Sequence, residues 1–376
     1  MLLLKLLGIF LTKLIQNEKH FAELLLDWYG RNKRELPWRN TTNPYIIWLS
    51  EIILQQTRIN QGLPYFNKFL EKYPNVEKLA SADEQSVLRL WQGLGYYSRA
   101  KNLHACAKVI ASDYQGSFPD NYNDLLSLKG VGKYTAAAIA SFAFDEKVAV
   151  VDGNVFRVLS RVFGMDQDIS SPQGQNAFRQ LAETLLPEKE VADYNQAIME
   201  FGALHCTPAN PDCESCVFNG FCFAYKHQLQ NSLPVKIKKV KVKSRYLNYF
   251  VIRYDNRLLM KKRNFKDIWN GLYDFYLVES EKAVDIEQIE DELITSLKLH
   301  NAKIENVSRP YKHILTHQKL YSAFYLIDMP ESSFTTGLIN ALINKDDYSF
   351  YTIEEVINLP KPILINKYLS ENIFFD

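Results

Sequence analysis

Cysteine is scarce in this chain of 376 residues. There are five, four of them within Cys206–Cys222, and the fifth, Cys106, stands alone in a stretch patterned as a helix. Disulfide-stabilised secreted proteins spread their cysteines more widely, so this clustering points to a metal site in a reducing compartment. An excess of one charge is also lacking: 44 Lys and Arg against 43 Asp and Glu leave +1. Composition therefore does not announce nucleic acid, although a local basic surface stays open. Long apolar runs are missing too. MLLLKLLGIFLTKLI is too short to span a bilayer; it resembles a weak signal segment without a small-residue cleavage site. Residues 1–19 are read as an N-terminal extension, either extra helical turns or a misassigned start. No other segment is suited to a membrane, and there is no internal repeat or low-complexity tract. What is present, 47% hydrophobic and 23% charged residues, fits a soluble globular protein long enough for two domains.

From 20 to 230 apolar residues recur at three- and four-residue steps, as in YIIWLSEIILQQ and DLLSLKGVGKYTAAAIASFAF, which predicts an all-α domain. Residues 231–245 form a basic connector. Its core, PVKIKKVKVKSR, holds six Lys or Arg and no acid, suited to a phosphate backbone or simply solvated. From 246 to 376 the texture changes. RYLNYFVIRYDNRLLMKKR alternates around Asp255-Asn256 like a hairpin. GLYDFYLVE and HQKLYSAFYLID look like strands and EQIEDELITSL like a helix, which makes a smaller α+β domain.

The loop LKGVGKYT lacks the spacing of a Walker loop and of a dinucleotide fingerprint. It predicts a helix, a tight turn through Gly130 and Gly132, and a second helix. Such a turn aims backbone N–H groups and a helix N-terminus at one anion. In CTPANPDCESCVFNGFC the spacing Cys-x6-Cys-x2-Cys-x5-Cys has one Cys-x2-Cys hook, where structural zinc usually shows two. A cubane cluster accepts four thiolates from a compact loop.

Four segments carry a family resemblance. LKGVGKYTA resembles the helix-hairpin-helix of DNA glycosylases. AVVDGNVFRVLSR resembles the segment holding their essential aspartate, here Asp152. The cysteine spacing matches the [4Fe-4S] loop of the endonuclease III and MutY branch. LPWRNTTNPYIIWLSEIILQQTRI resembles the start of the MutY family of adenine glycosylases. The resemblance implies a [4Fe-4S] cluster on Cys206, Cys213, Cys216 and Cys222. It also implies excision of adenine mispaired with 8-oxoguanine or guanine in duplex DNA, by a cytoplasmic, bacterial-type monomer beside the nucleoid. Two alternatives stand beside this one: an endonuclease III-like glycosylase and lyase, and a DNA-binding iron–sulfur protein without catalysis.

Read by itself, Glu51 shares a helix face with Ile47 and Leu54 and has no Lys or Arg three or four residues away. An apolar setting raises a carboxyl pKa, which suits a general acid near neutrality. The resemblance assigns Glu51 to protonation of adenine N7 and Asp152 to the positive charge developing on the sugar, with Tyr134 and Asn154 orienting that aspartate and the sugar. Tyr134 stands where endonuclease III-like enzymes carry the lysine that forms a Schiff base, and Lys133 is one step off, about 100° around the helix. That predicts a monofunctional glycosylase. Trp38 and Gln196 are expected to line an adenine pocket; core packing competes for Trp38. In QQT and GLGYYSRAKNLH, Gln56 and Tyr96 are expected to open the base stack, with Leu94 between two glycines pressed close to DNA. Arg99 either reaches phosphate or caps a helix. The second domain resembles a Nudix fold used to recognise 8-oxoguanine. In HILTHQKLY, the residues Leu315, Thr316 and His317 match the family's Phe-Ser-His loop. Leucine loses the aromatic face, while the threonine hydroxyl can accept from the N7–H of the oxidised base. A magnesium-holding Nudix helix needs glutamates set densely around Arg-Glu; EQIEDELITSL has acids but no such arrangement, so this domain is read as a binding module.

Overall fold

The computed structural model describes residues 20–237, 242–265, 267–285, 287–289, 303–329, 343 and 347–372. The 1–19 extension, residues 238–241 of the basic connector and residues 290–297 of the expected helix lie outside these. The chain divides into two compact units, residues 1–80 with 105–238, and residues 81–104 with 239–376.

The first unit is helical. Helix α1 covers 20–32, followed by α2 (Pro44–Leu54), α3 (Ile59–Lys72) and α4 (Val76–Ala80). Helix α5 (Glu84–Leu90) belongs to the other unit, and α6 (Ser98–Asp113) runs between the two stretches of chain. The first unit resumes with α7 (Tyr122–Ser127), α8 (Lys133–Phe144), α9 (Gly153–Phe163), α10 (Pro172–Thr184), α11 (Val191–Leu204) and α12 (Phe223–Lys226). Its core joins Phe21, Leu25 and Trp28 of α1 to Val158 and Leu159 of α9, Phe201 of α11 and Phe218 of the cysteine loop. Helix α11 passes close to α9 at Gly202, where a Cβ would stand 2.6 Å from Asn154 Cβ; only glycine allows that approach.

Among the described residues, the second unit holds a mixed eight-stranded sheet, ordered β3-β2-β1-β7-β5 with β4 on β1, β6 on β7 and β8 on β2. The strands are β1 (Lys243–Tyr254), β2 (Arg257–Lys262), β3 (Tyr273–Asp274), β4 (Tyr276–Ser280), β5 (Lys303–Val307), β6 (Tyr311–Ile314), β7 (Gln318–Asp328) and β8 (Ser349–Thr352). Strands β1 and β7 run parallel, Lys243 opposite Gln318 through Arg253 opposite Asp328; the other pairs are antiparallel. The expected hairpin is β1–β2. Asp255 and Asn256 have φ of 45° and 55°, the left-handed pair that a two-residue turn needs to match strand twist. Six successive residues of β1, Leu247–Ile252, are buried, as befits a central strand covered on both faces.

Segment 81–104 departs from a helical domain running unbroken from 20 to 230. Its polar residues bond to the sheet unit: Gln85 Nε2 donates to Tyr273 OH at 2.9 Å, Gln92 Oε1 accepts from the Lys361 amide at 3.4 Å, and Lys101 Nζ donates to Asn270 Oδ1.

Candidate functional site

Helix α2 starts on Asn43, whose Oδ1 accepts from the Tyr45 amide at 2.9 Å, with Pro44 in its first turn. Eight of its residues are buried, and the one charged side chain among them is Glu51, 9% exposed. Helix α9 starts on Asp152. Its Oδ1 accepts from the amides of Asn154 and Val155, both at 2.8 Å, and its Oδ2 accepts from Asn154 Nδ2 at 2.7 Å. An aspartate that caps a helix is held at the positive end of the helix dipole. Helix α8 supplies Tyr134, whose hydroxyl donates to Glu51.

These three helices meet at one cavity of about 800 Å³, lined among others by Trp38, Arg39, Glu51, Gln56, Tyr134, Asp152, Asn154 and Glu200. Burial pushes the Glu51 carboxyl from 4.5 up to about 7; Asp152 adds to the rise, while Tyr134 and Arg39 oppose it. Burial also raises Asp152, against the pull of its three N–H donors and of Arg157. The cavity thus holds two carboxyls that burial raises, Glu51 in an apolar helix face and Asp152 among three N–H donors that oppose its rise, two different settings of the kind that set two carboxyls apart in role.

Sequence reasoning missed a cation pair on one wall. Glu200 of α11 accepts from Arg34 Nε at 2.8 Å, from Arg39 Nη1 at 2.9 Å and from Arg39 Nη2 at 2.7 Å. Although burial works to raise it, the two guanidinium groups hold Glu200 down at about 2. Trp38 lines the cavity and meets Phe66 edge-on, ring centres 5.0 Å apart, so packing and lining coexist there. Gln196 is placed elsewhere than expected. It accepts from Tyr29 OH at 3.1 Å and lines a second cavity with Asp145, Glu190 and Asp193.

The hairpin forms as predicted. Helix α7 ends at Ser127, Val131 N–H donates to Leu128 O at 3.1 Å, Gly130 has φ of 80°, and Gly132 caps α8 without a side-chain acceptor. Gly130, Gly132 and Lys133 are exposed, and the first turn of α8 carries no acid. Lys133 is not among the residues lining the Glu51 cavity.

Arg157 joins the cysteine loop to Asp152. Its Nε donates to Cys206 O at 2.7 Å, and its Nη2 donates to Gly202 O and to Asn154 Oδ1, both at 2.7 Å. The Asn154 amide is thereby oriented with its N–H toward Asp152. Among the described residues no three or more His, Cys, Asp or Glu side chains are arranged to hold a single metal ion. Burial, with the charges of Cys206, Cys222 and Cys213 beside it, pushes the Cys216 thiol up to about 12. Donors already face the sulfurs: Arg161 Nη1 lies 3.4 Å from Cys206 Sγ, and the Phe218 amide 3.4 Å from Cys216 Sγ. An arginine cation and a backbone amide beside the sulfurs are donors that suit thiolate ligands.

In the sheet unit, Leu315, Thr316 and His317 make the turn between β6 and β7, closed by Leu315 N–H to Gln318 O at 2.8 Å. Thr316 and His317 are exposed. Tyr96, 40% exposed, reaches Thr316, hydroxyl to hydroxyl, at 2.5 Å. The side chain of Leu94 is buried. The loop therefore presents backbone and Tyr96.

A family model described as HhH-GPD superfamily base excision DNA repair protein matches residues 49–185, and one for a NUDIX domain matches 248–371. Curated adenine DNA glycosylases are similar over most of the chain. That of Buchnera aphidicola subsp. Schizaphis graminum is 34% identical across 91% of this chain and 96% of its own length. The mouse protein is 40% identical across 57% of this chain and 43% of its own. Among solved structures, a thermostable thymine-DNA glycosylase superposes with a TM-score of 0.53 and 34% identity, covering 56% of this chain and 98% of its own.

Proposed function

Because the chain belongs to the adenine DNA glycosylases of the HhH-GPD base excision repair superfamily, we propose that it removes adenine opposite 8-oxoguanine or guanine by hydrolysis alone, as a monomer, without cleaving the strand. The raised Glu51 carboxyl, facing Tyr134 and the helix-capping Asp152 in one cavity, carries this reading. Glu51 gives its proton to adenine N7. The C1′–N9 bond then breaks with its electron pair leaving on the purine. Asp152 faces the cationic sugar, where a fixed anion in a water-poor site is most effective. Water adds to C1′ and returns a proton to Glu51. Tyr134 offers a hydroxyl where Schiff-base chemistry needs an amine. Thr316 reads the partner base: beside its bond to Tyr96 it keeps acceptor capacity for N7–H. Cys206, Cys213, Cys216 and Cys222 would hold a [4Fe-4S] cluster, which would supply a rigid, charge-neutralising tie for the loop and no step of the reaction.

Single-turnover assay of adenine opposite 8-oxoguanine, with and without alkali, tests the hydrolytic reading. Base loss with strand breakage only after alkali is expected; breakage without alkali would restore a lyase. Arg157→Gln is expected to slow excision by roughly 10–100-fold, the usual range for a residue orienting a ligand's neighbour. Duplex binding should change little, and a parallel loss of binding measured by anisotropy would overturn the positioning role.

A further inference from the structure

The loop Gly93–Tyr96 holds three residues at positive φ: Gly93 at 107°, Gly95 at 72° and Tyr96 at 48°. Glycine adopts this region freely, but a tyrosine there is strained and persists only where its surroundings hold it. Arg99, in the first turn of α6, is 9% exposed. Its Nη2 donates to Leu94 O at 3.3 Å and to Gly95 O at 3.2 Å. Its guanidinium lies 5.0 Å from the Trp91 ring centre and 5.8 Å from that of Tyr96. The Arg99 amide donates to Tyr96 O at 2.9 Å, and Trp91 Nε1 donates to Gly95 O at 3.0 Å. Burial pulls the guanidinium down to about 10, which leaves it charged at neutral pH.

We propose that Arg99 is a positioning residue for Tyr96, a buried clamp that holds the loop in its left-handed form before DNA arrives. The inference rests on the reading of Tyr96 as the wedge that opens the base stack. A wedge loop that first had to acquire its strained backbone would draw on binding free energy to do so; a clamped loop does not. Arginine suits the task because its planar guanidinium gives both carbonyl bonds from Nη2 while its face lies over the Trp91 and Tyr96 rings, a flat contact that a lysine ammonium does not make.

Arg99→Lys, Arg99→Met and Tyr96→Ala in the full chain test this. Single-turnover excision at saturating protein is measured on two duplexes, with adenine opposite 8-oxoguanine or opposite an abasic site, where there is no partner base to unstack. Both Arg99 variants are expected to slow excision about tenfold or more on the mispair and less than about threefold opposite the abasic site, with unchanged melting. A 2-aminopurine beside the mispair should also brighten less on binding. Equal slowing on both duplexes, or none on either, would overturn the clamp. Selective slowing by Tyr96→Ala with wild-type rates for both Arg99 variants would overturn the clamp and leave the wedge. Wild-type rates for Tyr96→Ala on the mispair would overturn the wedge, and the clamp's role with it.

Discussion

Glu51→Gln is expected to abolish adenine excision and to make the protein harder to melt. The glutamine keeps an oxygen for the Tyr134 hydroxyl but cannot deliver a proton, and loss of a general acid lowers rates by roughly 10²–10⁴-fold. The gain in stability follows from the raised carboxyl. A group whose pKa is higher folded than unfolded contributes its full stability below the unfolded value, and loses it as pH rises through the folded one. For Glu51 that window runs from 4.5 to about 7. Above it the buried carboxylate burdens the fold by about 3 kcal/mol, which glutamine removes. Melting measured at pH 8 should therefore rise by several degrees, and at pH 5 by much less. A gain independent of pH would refute the account. The same window governs the wild-type rate, which should fall as pH rises through about 7.

Asp152→Asn is expected to be nearly as damaging to catalysis while leaving the fold intact. Asparagine caps helices as well as aspartate does, so the bonds from the Asn154 and Val155 amides survive. The negative charge facing the sugar is lost, worth about 10²–10³-fold in rate or more. The new amide would also oppose the Asn154 Nδ2 donor, and a reversal of Asn154 would break its bond to Arg157. Single-turnover rates should collapse while melting shifts by no more than a few degrees. A variant that keeps more than about a tenth of the rate would remove Asp152 from its role.

Much of the site was legible because its signals are local. Glu51 announces itself as the one charge on an apolar helix. Gly130 and Gly132 mark the hairpin, and the cysteine spacing marks its loop, each within one short stretch. The wall formed by Arg34, Arg39 and Glu200 was not legible, because its partners lie 161 and 166 residues apart. Gln196 and Glu200 share a face of α11 at i and i+4, yet Glu200 lines the Glu51 cavity while Tyr29 engages Gln196. Helical periodicity alone could not choose between them. The membership of 81–104 in the sheet unit was likewise hidden, since periodicity gives a helix's apolar face but not what covers it.

That membership bears on how the chain is made. Residues 81–104 leave the ribosome long before β1 begins at Lys243. At about 5–20 residues per second, several seconds pass before their packing partner exists. During that interval Trp91, Leu94 and Tyr97, buried in the finished protein, belong to a unit whose other stretch does not yet exist. The nascent first unit thus carries an open apolar excursion in its middle. A chain interrupted ahead of the sheet would keep that segment without its packing partner for as long as it lasted.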